Sequence, residues 1–86
     1  MHDKVMKAIQ DNIESIYRMA VSNGLYICSN ANDMINTGVI IVSMIDINGS
    51  LLGFADRLKV TGFIVSNWEE IPNGYYRICI KGYIGW

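Results

Sequence analysis

The chain has 86 residues, with seven basic and eight acidic side chains and a formal charge of −1. That balance argues against a general nucleic-acid binder, whose affinity grows with the phosphates it neutralises, and the length allows one domain, residues 1–86, and no more. Apolar residues make up 51% and charged residues 17%, against about 25% charged in an ordinary soluble domain. So small a chain has much surface per unit volume and needs charge to cover it, so the shortage points to apolar surface hidden by association.

Met1-His2-Asp3-Lys4 leads straight into an amphipathic pattern and not into a signal peptide. Asp3 can cap a first turn. Val5, Ile9, Ile13, Ile16 and Ala20 then fall within an arc of about 80° at 3.6 residues per turn, and Met6 and Tyr17 widen it. Lys4, Lys7, Asp11, Glu14, Ser15 and Arg18 lie opposite. The spacing predicts one helix over about 3–22, roughly 30 Å long, ended by Asn23-Gly24 because Gly readily takes the left-handed stop conformation. The stripe reads as core packing; it is too short for a coiled-coil seam.

The rest reads as strands. Leu25 to Ser29 is short and apolar. Asn30 to Gly38 is a polar loop with room for one helical turn at Ala31 to Ile35. Val39 to Ile47 is apolar on both faces: Val39, Ile41, Ile45 and Ile47 point one way, Ile40, Val42 and Met44 the other. A strand with one wet face alternates apolar and polar, so this one is read as covered on both sides. Asn48-Gly49 signals a two-residue hairpin, which would set Ile45 against Leu52 and Ser43 against Phe54. The heavier face, with Ile45, Ile47, Leu52 and Phe54, is then expected to be the core beneath the helix. The lighter face, Ile40, Val42, Met44 and Ala55, needs sheet closure, a second copy or a partner protein.

Asp56-Arg57 makes a break, and Leu58 to Ser66 forms the next strand. Asn67 to Gly74 is a loop holding Pro72 and Asn73-Gly74. Tyr75 to Ile84 is the last strand, with Tyr76, Ile78, Ile80 and Ile84 inward and Tyr75, Arg77, Cys79, Lys81 and Tyr83 outward. The expected fold is α+β: one N-terminal amphipathic helix packed on a four- or five-stranded antiparallel sheet. Asn73-Gly74-Tyr75-Tyr76-Arg77-Ile78, followed by Lys81-Gly82-Tyr83-Ile84-Gly85, resembles the end of a bacterial SH3-type domain, across about a dozen residues. The resemblance implies, as the alternative, a small SH3-like barrel with an added helix that binds peptides or cell-wall fragments. The opening strand of that family is missing, and a long N-terminal helix is foreign to it.

Motifs for chemistry are absent. Cys28 and Cys79 with the single His2 cannot supply four zinc ligands, and no CxxC occurs; both cysteines are read as free, partly buried thiols. His2 sits at a terminus prone to fray and makes a poor general base. Glu69-Glu70 diverge in an extended segment, and Asp33, Asp46 and Asp56 lie at loop ends. No phosphate loop or metal spacing appears. The expectation is therefore no enzyme, no catalytic or metal-binding residue and no cofactor. Two surfaces remain for binding. On the outward face of the last strand, Tyr75, Arg77, Lys81 and Tyr83 interleave aromatic and basic residues, as single-strand binders do. In the loop before it, Trp68 stands beside Glu69 and Glu70, and Trp is enriched in binding hot spots.

The longest unbroken apolar run, Val39 to Val42, is far short of the ~20 residues of a spanning helix, so a cytoplasmic protein with no membrane contact is expected. Fourteen isoleucines and eight asparagines, both encoded by AT-rich codons, point to a low-GC bacterium or its phage. The expected function is a non-enzymatic protein–protein interaction module: a homodimer, or a small inhibitor or adaptor of phage or mobile-element origin. The alternative is nucleic-acid or nucleotide binding through the outward face of the last strand.

Overall fold

A computed structural model describes residues 3–84. Among them are four α-helices and five strands, in the order α1 (Asp3–Asp11), α2 (Ile13–Ser22), β1 (Leu25–Ile27), α3 (Ala31–Thr37), β2 (Val39–Met44), α4 (Leu51–Val60), β3 (Phe63–Val65), β4 (Glu69–Ile71) and β5 (Tyr75–Tyr83). The strands form one open antiparallel sheet in the order β1-β2-β5-β3. β4 pairs with the first residues of β5 and β3 with the last. The chain is thus α+β, as its patterning predicts. The sheet has free edges and does not close into a barrel, and the single expected helix gives way to four.

The N-terminal stripe packs as predicted. Val5, Ile9, Ile16 and Ala20 are buried and Ile13 is half-buried, while Lys4, Lys7, Asp11, Glu14 and Arg18 are exposed. The stripe runs over two helices, because the turn breaks at Asn12 (φ −113°, ψ 15°). The Asn12 side-chain amide donates to the Ala8 carbonyl at 2.8 Å, and such local bonds compete with helix continuation. The break lets α1 reach α3 and β5 while α2 lies against β1 and α4. Gly24 ends α2 with φ +72°, in the left-handed region that Gly tolerates best. Residues 31–37 form a full short helix rather than one turn, capped by the Asn30 side chain, which accepts from the Asp33 N–H at 2.9 Å.

The largest departure follows β2. No hairpin forms at Asn48-Gly49, and residues 51–60 are helix, not strand. A two-residue type I′ turn needs positive φ at both central residues, and neither Asn48 nor Gly49 has it. The turn instead runs from Asp46 to Gly49. The Gly49 N–H donates to the Asp46 carbonyl at 3.2 Å, and the Asp46 carboxylate accepts from the Asn48 N–H at 2.8 Å. Gly49 serves close approach: a Cβ there would meet the Gly24 carbonyl oxygen at 2.9 Å. Ser50 then caps α4, its hydroxyl accepting from the Gly53 N–H at 2.8 Å. Leu51, Phe54, Ala55 and Leu58 are buried at helical i, i+3, i+4, i+7 spacing.

The Asn-Gly pair that does turn a hairpin is the other one. Asn73 (φ 72°) and Gly74 (φ 82°) both take positive φ within Pro72–Gly74, which joins β4 to β5 with Ile71 opposite Tyr75. The segment 67–74, read as all loop, therefore contains a strand. Farther along, β5 carries a bulge. Ile64 pairs with Gly82 but Val65 with Ile80, which leaves Lys81 without an opposite residue. The bulge reverses the facing of the last residues. Tyr83 turns inward to pack on Phe63, with ring centroids 4.9 Å apart, contrary to its expected outward position. Ile84, expected inward, is exposed.

Candidate functional site

The core is built on one side of the sheet. Leu25 and Ile27 of β1, Ile40 and Val42 of β2, Ile78 and Ile80 of β5 and Phe63 of β3 are buried in one cluster with residues from all four helices. Ile40 and Val42 belong to the face expected to be the lighter one, to be covered by sheet closure, a second copy or a partner; in the fold they are the core. The expected heavy face dissolves. Ile45 and Ile47 lie beyond the end of β2, Ile47 being 99% exposed, Leu52 is exposed on α4, and only Phe54 is buried, as a helix residue.

The reverse face follows from the register. Val39 lies opposite Cys79, Ile41 opposite Arg77 and Ser43 opposite Tyr75. Across β1, Tyr26 lies opposite Ser43, and the Cys28 N–H donates to the Ile41 carbonyl at 2.7 Å. On the other flank Glu69 lies opposite Arg77 and Ile71 opposite Tyr75. Ile64 lies over Gly82, where an added Cβ would touch the Ile64 Cδ1 at 3.3 Å. Paired residues share a face. Tyr26, Val39, Ile41, Ile64, Ile71, Tyr75 and Cys79 therefore all stand on the side opposite the buried cluster. Tyr26 is 60% exposed and Ile64 and Tyr75 are exposed, while Val39, Ile41, Ile71 and Cys79 are half-buried by their neighbours alone. The Ile45 N–H bonds the Gly24 carbonyl at 2.8 Å, so Ile45 continues the row Val39-Ile41-Ser43.

Charge on this face is nearly self-cancelling. Arg77 and Glu69 form an ion pair with each other. A shallow depression of about 420 Å³ at one margin has Val39 and Ile41 for its apolar wall and Cys28, Ser29, Asp33 and Thr37 for its rim. A second depression, about 540 Å³, lies on α2 beside Arg57. Two of its polar groups are engaged locally: the Ser22 hydroxyl donates to the Arg18 carbonyl at 2.9 Å, and Arg18 faces Glu14 at 3.9 Å.

The predicted binding residues divide accordingly. Tyr75, Arg77 and Glu69 come together on the bare face. Glu70 lies opposite Tyr76, hence on the other side. Lys81 is exposed at the bulge, and Tyr83 belongs to the core margin. Trp68 is 38% exposed and stands outside the core cluster, so it is not the buried lid its size allows. Tyr26, Val39, Ile41, Ile64 and Ile71 join the site without having been singled out for it, although the two-sided apolar character of Val39 to Ile41 already marked the strand.

Among the described residues every buried side chain is apolar, and no three His, Cys, Asp or Glu side chains converge; His2 lies outside those residues. Cys28 and Cys79 share the bare face. They are two strands and two residues apart, about 12 Å between Cα atoms, which is beyond disulfide reach; both are free thiols, Cys28 exposed rather than buried. Among the described residues no helix is long and apolar enough to cross a membrane. No protein family, curated protein or solved structure matches the chain.

Proposed function

We propose that the chain is a non-enzymatic protein-interaction module whose working surface is the bare face of its sheet. One observation carries the reading. β2 is apolar on both sides, yet all four helices contribute to the buried cluster on one side, so Val39 and Ile41 are left half-buried, with their in-sheet neighbours and, at one margin, Ser29, Asp33 and Thr37. An apolar face costs free energy in water, about 25 cal/mol per Å², and contiguous apolar surface on a small protein marks an interaction site. Tyr26 and Tyr75 flank it with large, rigid side chains of the kind that anchor interfaces. The Glu69–Arg77 pair supplies polarity without net charge.

Nucleic-acid binding by the same face is the weaker reading. Arg77 is engaged by Glu69 and Tyr83 has turned inward, which would leave Tyr75 and Lys81 to stack bases and meet phosphates. Phosphate-driven binding also falls steeply with salt.

Photo-crosslinking tests the proposal. A photoreactive phenylalanine analogue at Tyr75 is expected to form protein adducts in cells. The same group at Val60, exposed on α4, is expected to form none. Equal yields from the two positions, or adducts to nucleic acid alone, would contradict the proposal.

A further inference from the structure

We propose that Asn73 is a site of covalent modification: in the folded chain it deamidates ahead of every other asparagine, and the product releases the hairpin strand that carries Glu69. The inference does not depend on what the bare face binds.

Three of the eight asparagines precede glycine, at Asn23-Gly24, Asn48-Gly49 and Asn73-Gly74. These are the reactive ones, because glycine has no Cβ to hinder its peptide nitrogen. That nitrogen attacks the Asn Cγ. A C–N bond forms, the nitrogen gives up its proton, and the side-chain nitrogen leaves as ammonia. Water then opens the five-membered succinimide at one of its two carbonyls. Breaking the bond to Cγ leaves ordinary aspartate. Breaking the bond to the main-chain carbonyl leaves isoaspartate, whose backbone runs through Cβ and is one carbon longer.

Ring closure needs a free side chain and a following peptide that can turn towards it, so local restraint sets the rate. Asn23 is held at both ends. Its amide donates to the Met19 carbonyl at 2.8 Å. The Gly24 N–H donates to the Val21 carbonyl at 3.0 Å, and the Gly24 carbonyl accepts from the Ile45 N–H at 2.8 Å. Asn48 is exposed, but the peptide after it is fixed. The Gly49 N–H donates to the Asp46 carbonyl, the Ser50 N–H donates to the Asn23 carbonyl at 2.8 Å, and Gly49 packs on Gly24. Asn73 and Gly74 are both exposed, and a Cβ added at Gly74 would meet nothing within 4 Å. Among the described residues no hydrogen bond ties this pair to a segment outside its own hairpin.

The location gives the reaction a consequence. The Asn73-Gly74 turn sets Ile71 opposite Tyr75 and Glu69 opposite Arg77, and turn length fixes hairpin register. An extra main-chain carbon breaks that match. β4 has three residues, none of them buried, so little holds it once the turn is wrong. β5 keeps its pairing with β2 and β3. Isoaspartate at position 73 therefore parts Glu69 from Arg77 and leaves the core in place.

The test is prolonged incubation of the full chain in mildly alkaline buffer, native and in guanidinium chloride, followed by peptide mapping with mass spectrometry. In the native chain Asn73 is expected to convert about tenfold faster than Asn48, with Asn23 slower still. In guanidinium the three rates are expected to converge. Isoaspartate is expected among the products, which direct hydrolysis of the amide does not give. Nuclear magnetic resonance of the isoaspartate form is expected to show shifted amide signals at 69–74 and native signals in the core. Asn73→Asp, which adds the charge without the extra carbon, is expected to keep the native signals throughout. Native conversion of Asn23 or Asn48 as fast as that of Asn73 would overturn the inference. So would the same spread of rates in guanidinium, no conversion of Asn73 while the unfolded chain converts, or an isoaspartate form with β4 still paired.

Discussion

Replacing Ser50 by Ala separates a helix at 51–60 from a strand there with a single oxygen atom. The Ser50 hydroxyl accepts from the Gly53 N–H at 2.8 Å, and it satisfies one of the four N–H groups that a helix start leaves without partners. Loss of such a cap costs about 1 kcal/mol, within a range of roughly 0.5–2. An 86-residue chain at about 0.05–0.15 kcal/mol per residue has a total stability of about 4–13 kcal/mol. The loss is therefore visible without unfolding the protein. At this size 1 kcal/mol corresponds to a fall in Tm of about 4–8 °C. Thermal melts followed by circular dichroism, with urea titration to confirm an unchanged slope, read it out. Ser50→Asp is the control. It keeps the acceptor and adds negative charge to a helix whose first turn has no acid, which the helix dipole favours, so it is expected to match or exceed the native protein. If Ser50 were a strand residue opposite Ile47, Ala would cost almost nothing and Asp, a poor strand former, would cost more. An Asp variant less stable than the Ala variant would refute the helix.

Other outcomes follow from the same geometry. Leu58→Ala, at a fully buried site of α4, is expected to lower stability by about 3 kcal/mol in urea titration. Gly24→Ala combines a left-handed φ with a Cβ 2.8 Å from the Gly49 Cα, and a loss of about 2–3 kcal/mol is expected by the same measurement. Glu69→Gln removes a half-exposed ion pair with Arg77 and is expected to cost under about 1 kcal/mol, with the difference shrinking in high salt. Mass spectrometry of the alkylated, unreduced protein is expected to find two free thiols per chain.

Much of the fold is legible in the residues. The α1–α2 stripe, the stop at Asn23-Gly24, β1, the start of β2 and the inward set Tyr76, Ile78 and Ile80 all follow from spacing. The stretch 50–60 does not, because two local signals compete there. Asn48-Gly49 followed by apolar residues suits a hairpin, while Ser50 with Leu51, Phe54, Ala55 and Leu58 suits a capped helix, and burial against α2 and β3 decides for the helix. The identical dipeptide Asn73-Gly74 makes its turn because strand-forming Tyr75 to Ile80 follows it. Bulges leave no mark on periodicity, so Tyr83 is misplaced by alternation alone. For the site, the two-sided apolar character of β2 is the visible signal. Which of its faces is bare depends on which side the helices take, and that is a tertiary property.

The central claim is that β2 has one covered face and one free face. Its neighbouring isoleucines test that most directly, by the urea unfolding of Ile40→Arg and Ile41→Arg at submicromolar concentration. Ile40 is fully buried, and a charge there has no partner, so loss of the cooperative transition is expected. Ile41 looks away from the core, and its variant is expected to unfold cooperatively within about 1 kcal/mol of the native chain. If both variants fail to fold, the second face is covered within the chain and the account is wrong.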